Sequence, residues 1–187
     1  MQNYRGFNPR FTREGTVIDI MAGAIFGVGS LFLVAILVFL LVHFMRIKTP
    51  ERGIFHLSIR YALFSVFLAN LGWLVMDAFQ GRYIGETGNF IVLHGLGFHA
   101  LQALLLIGWL LEKSKLHDQK QRMITHTGCT AWTIAIFIVA HQTSIGKTVF
   151  EISVFPLLTV FFLLIWLLII IHSFIQYMLA NRSTRPH

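Results

Sequence analysis

The chain has 187 residues, of which 56% are hydrophobic and only 12% are charged, and its mean hydropathy is +0.70. A soluble domain of this size carries roughly 25% charged residues, which cover its surface. The composition therefore excludes a water-soluble globule and predicts one integral membrane domain over residues 1–187. The net charge of +7 requires no nucleic-acid partner, because basic loops beside anionic lipid account for it.

Five long apolar segments follow one another along the chain. A membrane-spanning helix needs about 20 mostly apolar residues, and these segments lack the alternation of polar and apolar residues seen in β-barrel strands. The expected fold is therefore all-α, a polytopic five-helix transmembrane bundle. The predicted spans are residues 18–44, 54–78, 88–111, 123–141 and 151–178. Pro156, which has no backbone N–H, can kink the fifth span near its start.

The basic residues predict the orientation of the bundle, because Lys and Arg are enriched in cytoplasmic loops. Nine belong to the side of the C-terminus: Arg46, Lys48, Arg52, Lys113, Lys115, Lys120, Arg122, Arg182 and Arg185. Five belong to the other side: Arg5, Arg10, Arg13, Arg82 and Lys147. We therefore expect a multi-pass protein of the inner (cytoplasmic) membrane, with its N-terminus outside and its C-terminus inside.

Ionisable side chains within membrane spans are costly, so their positions indicate functional sites. Six such residues approach the predicted outer leaflet and are candidates for a metal site or a proton relay: Asp19, Asp77, His94, His99, His141 and Glu151. Asn70 lies on the same helix face as Asp77 and is expected to support the site. Helix capping or interfacial water is the alternative role at the helix ends. His99 lies too deep for that role.

The chemistry of such a site is limited by its donors. Imidazole and carboxylate groups suit Cu, Zn or Fe, and the single cysteine, Cys129, argues against a thiolate site. Proton relay is the alternative, because histidine titrates near neutral pH. Haem is less favoured, since it needs two histidines at similar depth, such as His99 and His172. The remaining polar residues of the inner side, His43, His56 and Arg60, lie nearer the membrane boundary.

The segment from Gly88 to Gln102 carries a spaced motif of glycine, histidine and glutamine. It reads Gly88-Asn89, four residues, His94, two residues, Gly97, one residue, His99, one residue, Leu101-Gln102. This pattern resembles a signature of bacterial multi-span membrane proteins of uncharacterised function, in which an acid is expected where Asn89 stands. The resemblance covers about 25 residues and implies no activity. It implies that His94, His99 and Gln102 are the strongest candidates, with Asn89 beside them.

Small residues indicate where helices approach closely. Gly95 and Gly97 thin the third span, so a neighbouring helix or cofactor can approach the histidines, and Gln102 can hydrogen-bond to His99 one turn away. Gly23 and Gly27 form a GxxxG pair on the first span, for which packing within the molecule is expected over a dimer contact.

Three functions agree with this pattern. The first is a His/Asp/Glu site towards the outer leaflet that binds a transition metal in a redox role. The second is transport or proton coupling through the same side chains. The third is a non-catalytic accessory or structural subunit of a larger membrane complex. The chain has no phosphate-binding loop, nucleophile elbow or zinc-protease motif, and whether it is an enzyme stays open. Expected partners are the lipid bilayer and a homo-oligomer or larger complex.

Overall fold

The computed structural model describes residues 17–47, 53–78 and 81–182, except for the side chains of Asp19, Asp77 and Ala78. These residues form five helices, each long and apolar enough to cross a membrane. The helices are α1 (Val17–Arg46), α2 (Ile54–Ala78), α3 (Phe90–Glu112), α4 (Asp118–Ser144) and α5 (Val154–Arg182). A hairpin of two short strands, β1 (Tyr83–Ile84) and β2 (Gly88–Asn89), joins α2 to α3. The all-α prediction is confirmed, and each predicted span overlaps one of the five helices.

Two helix starts differ from the sequence prediction. Helix α4 begins at Asp118 because the His117 side chain caps it, accepting a hydrogen bond from the Gln119 amide at 3.4 Å. Helix α5 begins at Val154, so Pro156 lies in its first turn, where the missing N–H breaks no helical hydrogen bond. The kink expected at Pro156 was wrong for this reason, and α5 runs without interruption to Arg182.

The centre of the bundle is the α2–α3 contact, and small residues make it close. A Cβ atom at Gly97 would lie against the Ala69 side chain and 2.9 Å from the Ser65 carbonyl oxygen. A Cβ atom at Gly108 would likewise overlap Ser58. Helix α4 packs against both α2 and α3, and α5 packs against α4 and α3. The largest fully buried apolar side chains are Leu104, Ile107, Leu111 and Ile136.

Helix α1 packs chiefly against α2, near its own C-terminal end. There the Arg60 guanidinium donates hydrogen bonds to two carbonyl oxygens, from Nε to Phe44 at 3.0 Å and from Nη2 to Ile47 at 2.8 Å. Arg60 therefore caps α1, where unpaired carbonyls and the helix dipole favour a cation. Nothing lies within 4 Å of a Cβ atom built at Gly27, so the packing expected for this glycine within the molecule is not formed there.

The loops at one end of the bundle are joined around two glycines. The Gly146 carbonyl accepts hydrogen bonds from the amides of Thr87 and Gly88, at 3.0 and 2.9 Å. Gly85 and Gly146 have φ angles of 60° and 78°, and their backbones touch. Residues other than glycine rarely adopt these φ angles, and their side chains would not fit between the two backbones. We call this end, where the hairpin meets the α4–α5 loop, the hairpin end.

Candidate functional site

The middle of α3 presents polar groups on the surface of the bundle. Gly95, His99, Gln102 and Leu106 follow one another at helical spacing and form what we call the outward face of α3. His99, Gln102 and Leu106 are exposed, and nothing lies within 4 Å of a Cβ atom built at Gly95. His99 lies about 14 Å along the helix from Phe90 and about 20 Å from Glu112. The polar pair is therefore far from both helix ends.

His99 and Gln102 are joined as the sequence predicted. His99 Nδ1 lies 3.0 Å from Gln102 Oε1. An amide oxygen only accepts hydrogen bonds, so Nδ1 carries the proton in this pair. In the neutral imidazole, Nε2 then keeps its lone pair for another donor or for a metal. Because Gly95 leaves space one turn away, a second helix can approach this atom closely.

The histidines and the acid towards the hairpin end lie in separate surroundings. The His94 ring packs on Phe98, with ring centroids 4.5 Å apart. The exposed His141 packs edge-on against Phe155 at 4.9 Å. Glu151 forms an ion pair with Lys147 at 3.4 Å, in the loop before α5. His141 at the end of α4 and Glu151 in the loop before α5 therefore each have a local contact.

The two asparagines have local structural roles. Asn89 caps α3, where its side-chain oxygen accepts a hydrogen bond from the Ile91 amide at 3.0 Å. Asn70 is buried in α2 and donates to the Val66 carbonyl at 2.8 Å. Both side chains thereby satisfy backbone groups of their own helix. Asp19 and Asp77 belong to α1 and α2, but their side chains lie outside the described part of the structure.

The candidate metal ligands do not gather into one group. Among the residues that the structure describes, no three His, Cys, Asp or Glu side chains are placed to hold a metal ion. A transition-metal site at His99 would therefore take further donors from elsewhere, such as Asp19, Asp77 or a second chain. The outward position of His99 fits the last of these.

A second polar cluster lies on the surface between α2 and α4, and the sequence analysis missed it. The Tyr61 hydroxyl lies 3.0 Å from His126 Nδ1 and 3.4 Å from the Thr130 hydroxyl. The Tyr61 and His126 rings meet edge-on at 5.8 Å. His126 and Thr130 are one helical turn apart, a spacing that could have indicated a shared face. Tyr61 carries no such signal, because its place opposite α4 depends on tertiary packing.

Three polar residues of the opposite end, His43, His56 and Arg60, lie around Phe44. Arg60 caps α1, and the His56 ring packs on Phe44 at 5.3 Å. The His43 ring stacks on Phe39 at 6.0 Å, and His172 is exposed on α5. The pairing of His99 with His172 around a haem stays a prediction.

A pocket of about 230 Å³ lies between the hairpin and the loop after α4. Thr87 and Asn89 line it from the α2–α3 connection, and Thr148 lines it from the loop after α4.

Comparisons of the chain with protein-family models, curated proteins and solved structures find no match.

Proposed function

We propose that the chain is a multi-pass subunit of a larger membrane assembly, in which a partner helix covers the outward face of α3. The observation that carries this proposal is the hydrogen-bonded His99–Gln102 pair, exposed near the middle of a membrane-length helix. In hydrocarbon, such polar groups are unfavourable unless a protein partner or a water-filled cavity meets them.

The partner should supply a hydrogen-bond donor to His99 Nε2. Some buried polar side chains of the spans bond within their own helices, as Ser65 does to the Tyr61 carbonyl and Ser173 to the Ile169 carbonyl. His99 and Gln102 differ, because they bond to each other and not to the backbone. Their bond uses His99 Nδ1 and Gln102 Oε1, which leaves His99 Nε2 and the NH₂ group of Gln102 for a partner. A small residue opposite Gly95 and a Ser, Thr or Asn opposite His99 would complement this face.

The assembly is best tested with a leucine at position 99. After gentle detergent extraction, the wild-type chain should migrate with its partner, and His99→Leu should weaken the association by about threefold to tenfold. His172→Leu is the matched control, because it also removes an exposed histidine but leaves α3 unchanged. A monomeric wild type, or a His99→Leu assembly as stable as wild type, would refute the proposal.

A crosslinking experiment in the same system can distinguish a second copy of this chain from a different subunit as the partner. With Cys129→Ser as background, Gly95→Cys introduces the only thiol on the outward face of α3. A disulfide-linked dimer after mild oxidation would identify the partner as a second copy. A mixed disulfide or no crosslink, with the assembly intact, would point to a different subunit.

A second candidate function uses the same nitrogen. His99 Nε2 could transfer protons, or bind Cu, Zn or Fe together with donors from the partner, in a redox or transport role. What favours it is the Nδ1 bond to Gln102, because a partner on one ring nitrogen orients the other for a proton or a metal. Elemental analysis of the intact assembly, compared with its His99→Leu variant, tests the metal. Proton flux in proteoliposomes tests the relay.

The orientation forms part of this proposal. Lys113 and Lys115 lie in the α3–α4 connection and Lys120 lies in the first turn of α4, which favours the cytoplasmic side of a bacterial inner membrane for this end. The hairpin end would then face outward. Labelling of cysteines introduced at Lys115 and at Thr87 by a membrane-impermeant reagent in whole cells tests this: only the latter should react.

A further inference from the structure

An apolar groove of about 360 Å³ opens on the surface where α3, α4 and α5 meet. Leu96 lines it from α3, Trp132 from α4, and residues between Val160 and Leu167 line it from α5. The volume lies at the lower end of the range for small-molecule sites, so it fits a one-ring or two-ring compound with part of its chain.

Two tryptophans at this groove have buried indole N–H groups without an acceptor. Nε1 of Trp132 and Nε1 of Trp166 have no hydrogen-bond partner within the described part of the chain. The Trp132 side chain is only 6% exposed, and the two rings meet edge-on with centroids 4.8 Å apart. Buried indole N–H groups normally find an acceptor, so two orphaned donors at one groove indicate a missing acceptor.

The depth of the two rings restricts what that acceptor can be. Trp132 lies about 18 Å along α4 from Ser144, and Trp166 lies about 18 Å along α5 from Val154. In a bilayer whose hydrocarbon is about 30 Å thick, this level is close to the midplane. Phospholipid ester carbonyls lie at the boundary of the hydrocarbon, well above the rings. The acceptor therefore belongs to a neutral molecule that enters the hydrocarbon itself.

We propose that this groove binds a membrane-soluble carbonyl compound of the quinone type. Its ring packs against the indole of Trp166, its carbonyl oxygen accepts a hydrogen bond from Trp132 or Trp166, and its apolar chain extends along Leu164 and Val160. Both N–H groups are buried, so the proposal includes a change of side-chain rotamer that turns one of them into the groove. The depth argument rests on the membrane placement proposed above.

The indole protons themselves report on this binding. The chain has four tryptophans, so a sample labelled with ¹⁵N at the indole nitrogen and reconstituted in lipid nanodiscs gives four N–H signals. Decylubiquinone should move the signal of Trp132 or Trp166 downfield in a saturable way. The signals of Trp73 and Trp109 should stay in place. Decylbenzene, which has the chain and ring but no carbonyl, should cause no downfield shift.

Single substitutions assign the donor. Trp132→Phe or Trp166→Phe should weaken decylubiquinone binding by about fivefold, as expected for one lost hydrogen bond, and Trp109→Phe should leave it unchanged. Trp166 is the less buried of the two, so its variant keeps the test available if Trp132→Phe fails to fold.

The result that would overturn the proposal is a lack of saturable shift, equal shifts of all four signals, or the same response to decylbenzene. The last result would mean that the groove holds only acyl chains. These failures are distinct from failure of the membrane placement, in which case the chain would not co-purify with the nanodiscs.

Discussion

In this bundle the most apolar helices, α1 and α5, are the most exposed, whereas the less apolar helices α2, α3 and α4 are partly buried. A soluble protein shows the reverse. None of the most apolar stretch of α1 or α5 is buried, whereas half of that stretch in α4 is buried. Yet α1 and α5 are the more apolar helices. In lipid, apolar side chains gain little by leaving the surface, and small residues that allow close packing are buried instead.

The attachment of α1 also differs from that of α3. Gly97 and Gly108 bring the backbone of α3 against α2 at two levels. Helix α1 is held near its C-terminal end by the bonds from Arg60 to Phe44 and Ile47, and its opposite half, around Gly27, has open space beside it. The α2–α3 contact therefore depends on steric fit along the helices, whereas the α1–α2 contact includes a cation that caps one end of α1.

Replacing Gly97 with leucine should break the α2–α3 contact and have the largest effect. The new side chain would overlap Ala69 and the Ser65 carbonyl, and because backbone atoms are involved, the helices must separate. We expect a loss of stability of about 3 kcal/mol. Cys129 is the only cysteine and is fully buried, so the temperature at which it reacts with a thiol-specific dye reports unfolding.

Gly95→Leu is the matched control for this substitution. It lies two residues away on the same helix and places the same side chain in open space. In the single chain, with no partner helix on the outward face of α3, its free energy of unfolding should stay within about 0.5 kcal/mol of the wild-type value. Equal destabilisation by both variants would mean that glycine flexibility, and not the fit at Gly97, decides stability.

Arg60→Leu should release α1 while leaving the α2–α3 contact intact. It removes two charge-assisted hydrogen bonds, together worth about 2 kcal/mol, and leaves the last carbonyls of α1 without their cap. Hydrogen–deuterium exchange should become about thirtyfold faster in the last turn of α1 and stay unchanged in α3.

Arg46→Leu controls for the loss of a positive charge at the same end of the bundle, since Arg46 is exposed in the last turn of α1. Its exchange should match the wild type. If Arg60→Leu also exchanges like the wild type, the hydrogen bonds from Arg60 do not hold α1.

The sequence predicted the helices because each needs only a long run of apolar residues, which can be read one segment at a time. It also predicted the His99–Gln102 bond, since residues three apart on a helix are neighbours. The roles of Gly97 and Gly27 could not be read in this way. Both occur among small or apolar residues, and only the arrangement of the helices decides that one meets a backbone and the other meets open space.

Helix caps and contacts between helices could not be predicted for the same reason. Asn89, which was predicted to support a site, also caps α3, and Pro156, which was predicted to kink α5, lies in its first turn. Arg60 was read as a boundary residue and is the cap of another helix. The spacing of residues along one helix does not reveal contacts with another helix. The Tyr61–His126 contact is the clearest example.

Tyr61→Phe should have the smallest effect and sharpens the comparison between packing and hydrogen bonding. It keeps the ring that packs on His126 and removes the hydroxyl that joins His126 to Thr130. Hydrogen bonds between side chains of membrane helices average about 0.6 kcal/mol, so the reaction temperature of Cys129 should fall only slightly. Thr127→Val is the matched control, because its hydroxyl bonds only to the Met123 carbonyl of its own helix. A loss as large as that of Gly97→Leu would show that polar contacts, and not close packing of small residues, hold α2 against its neighbours.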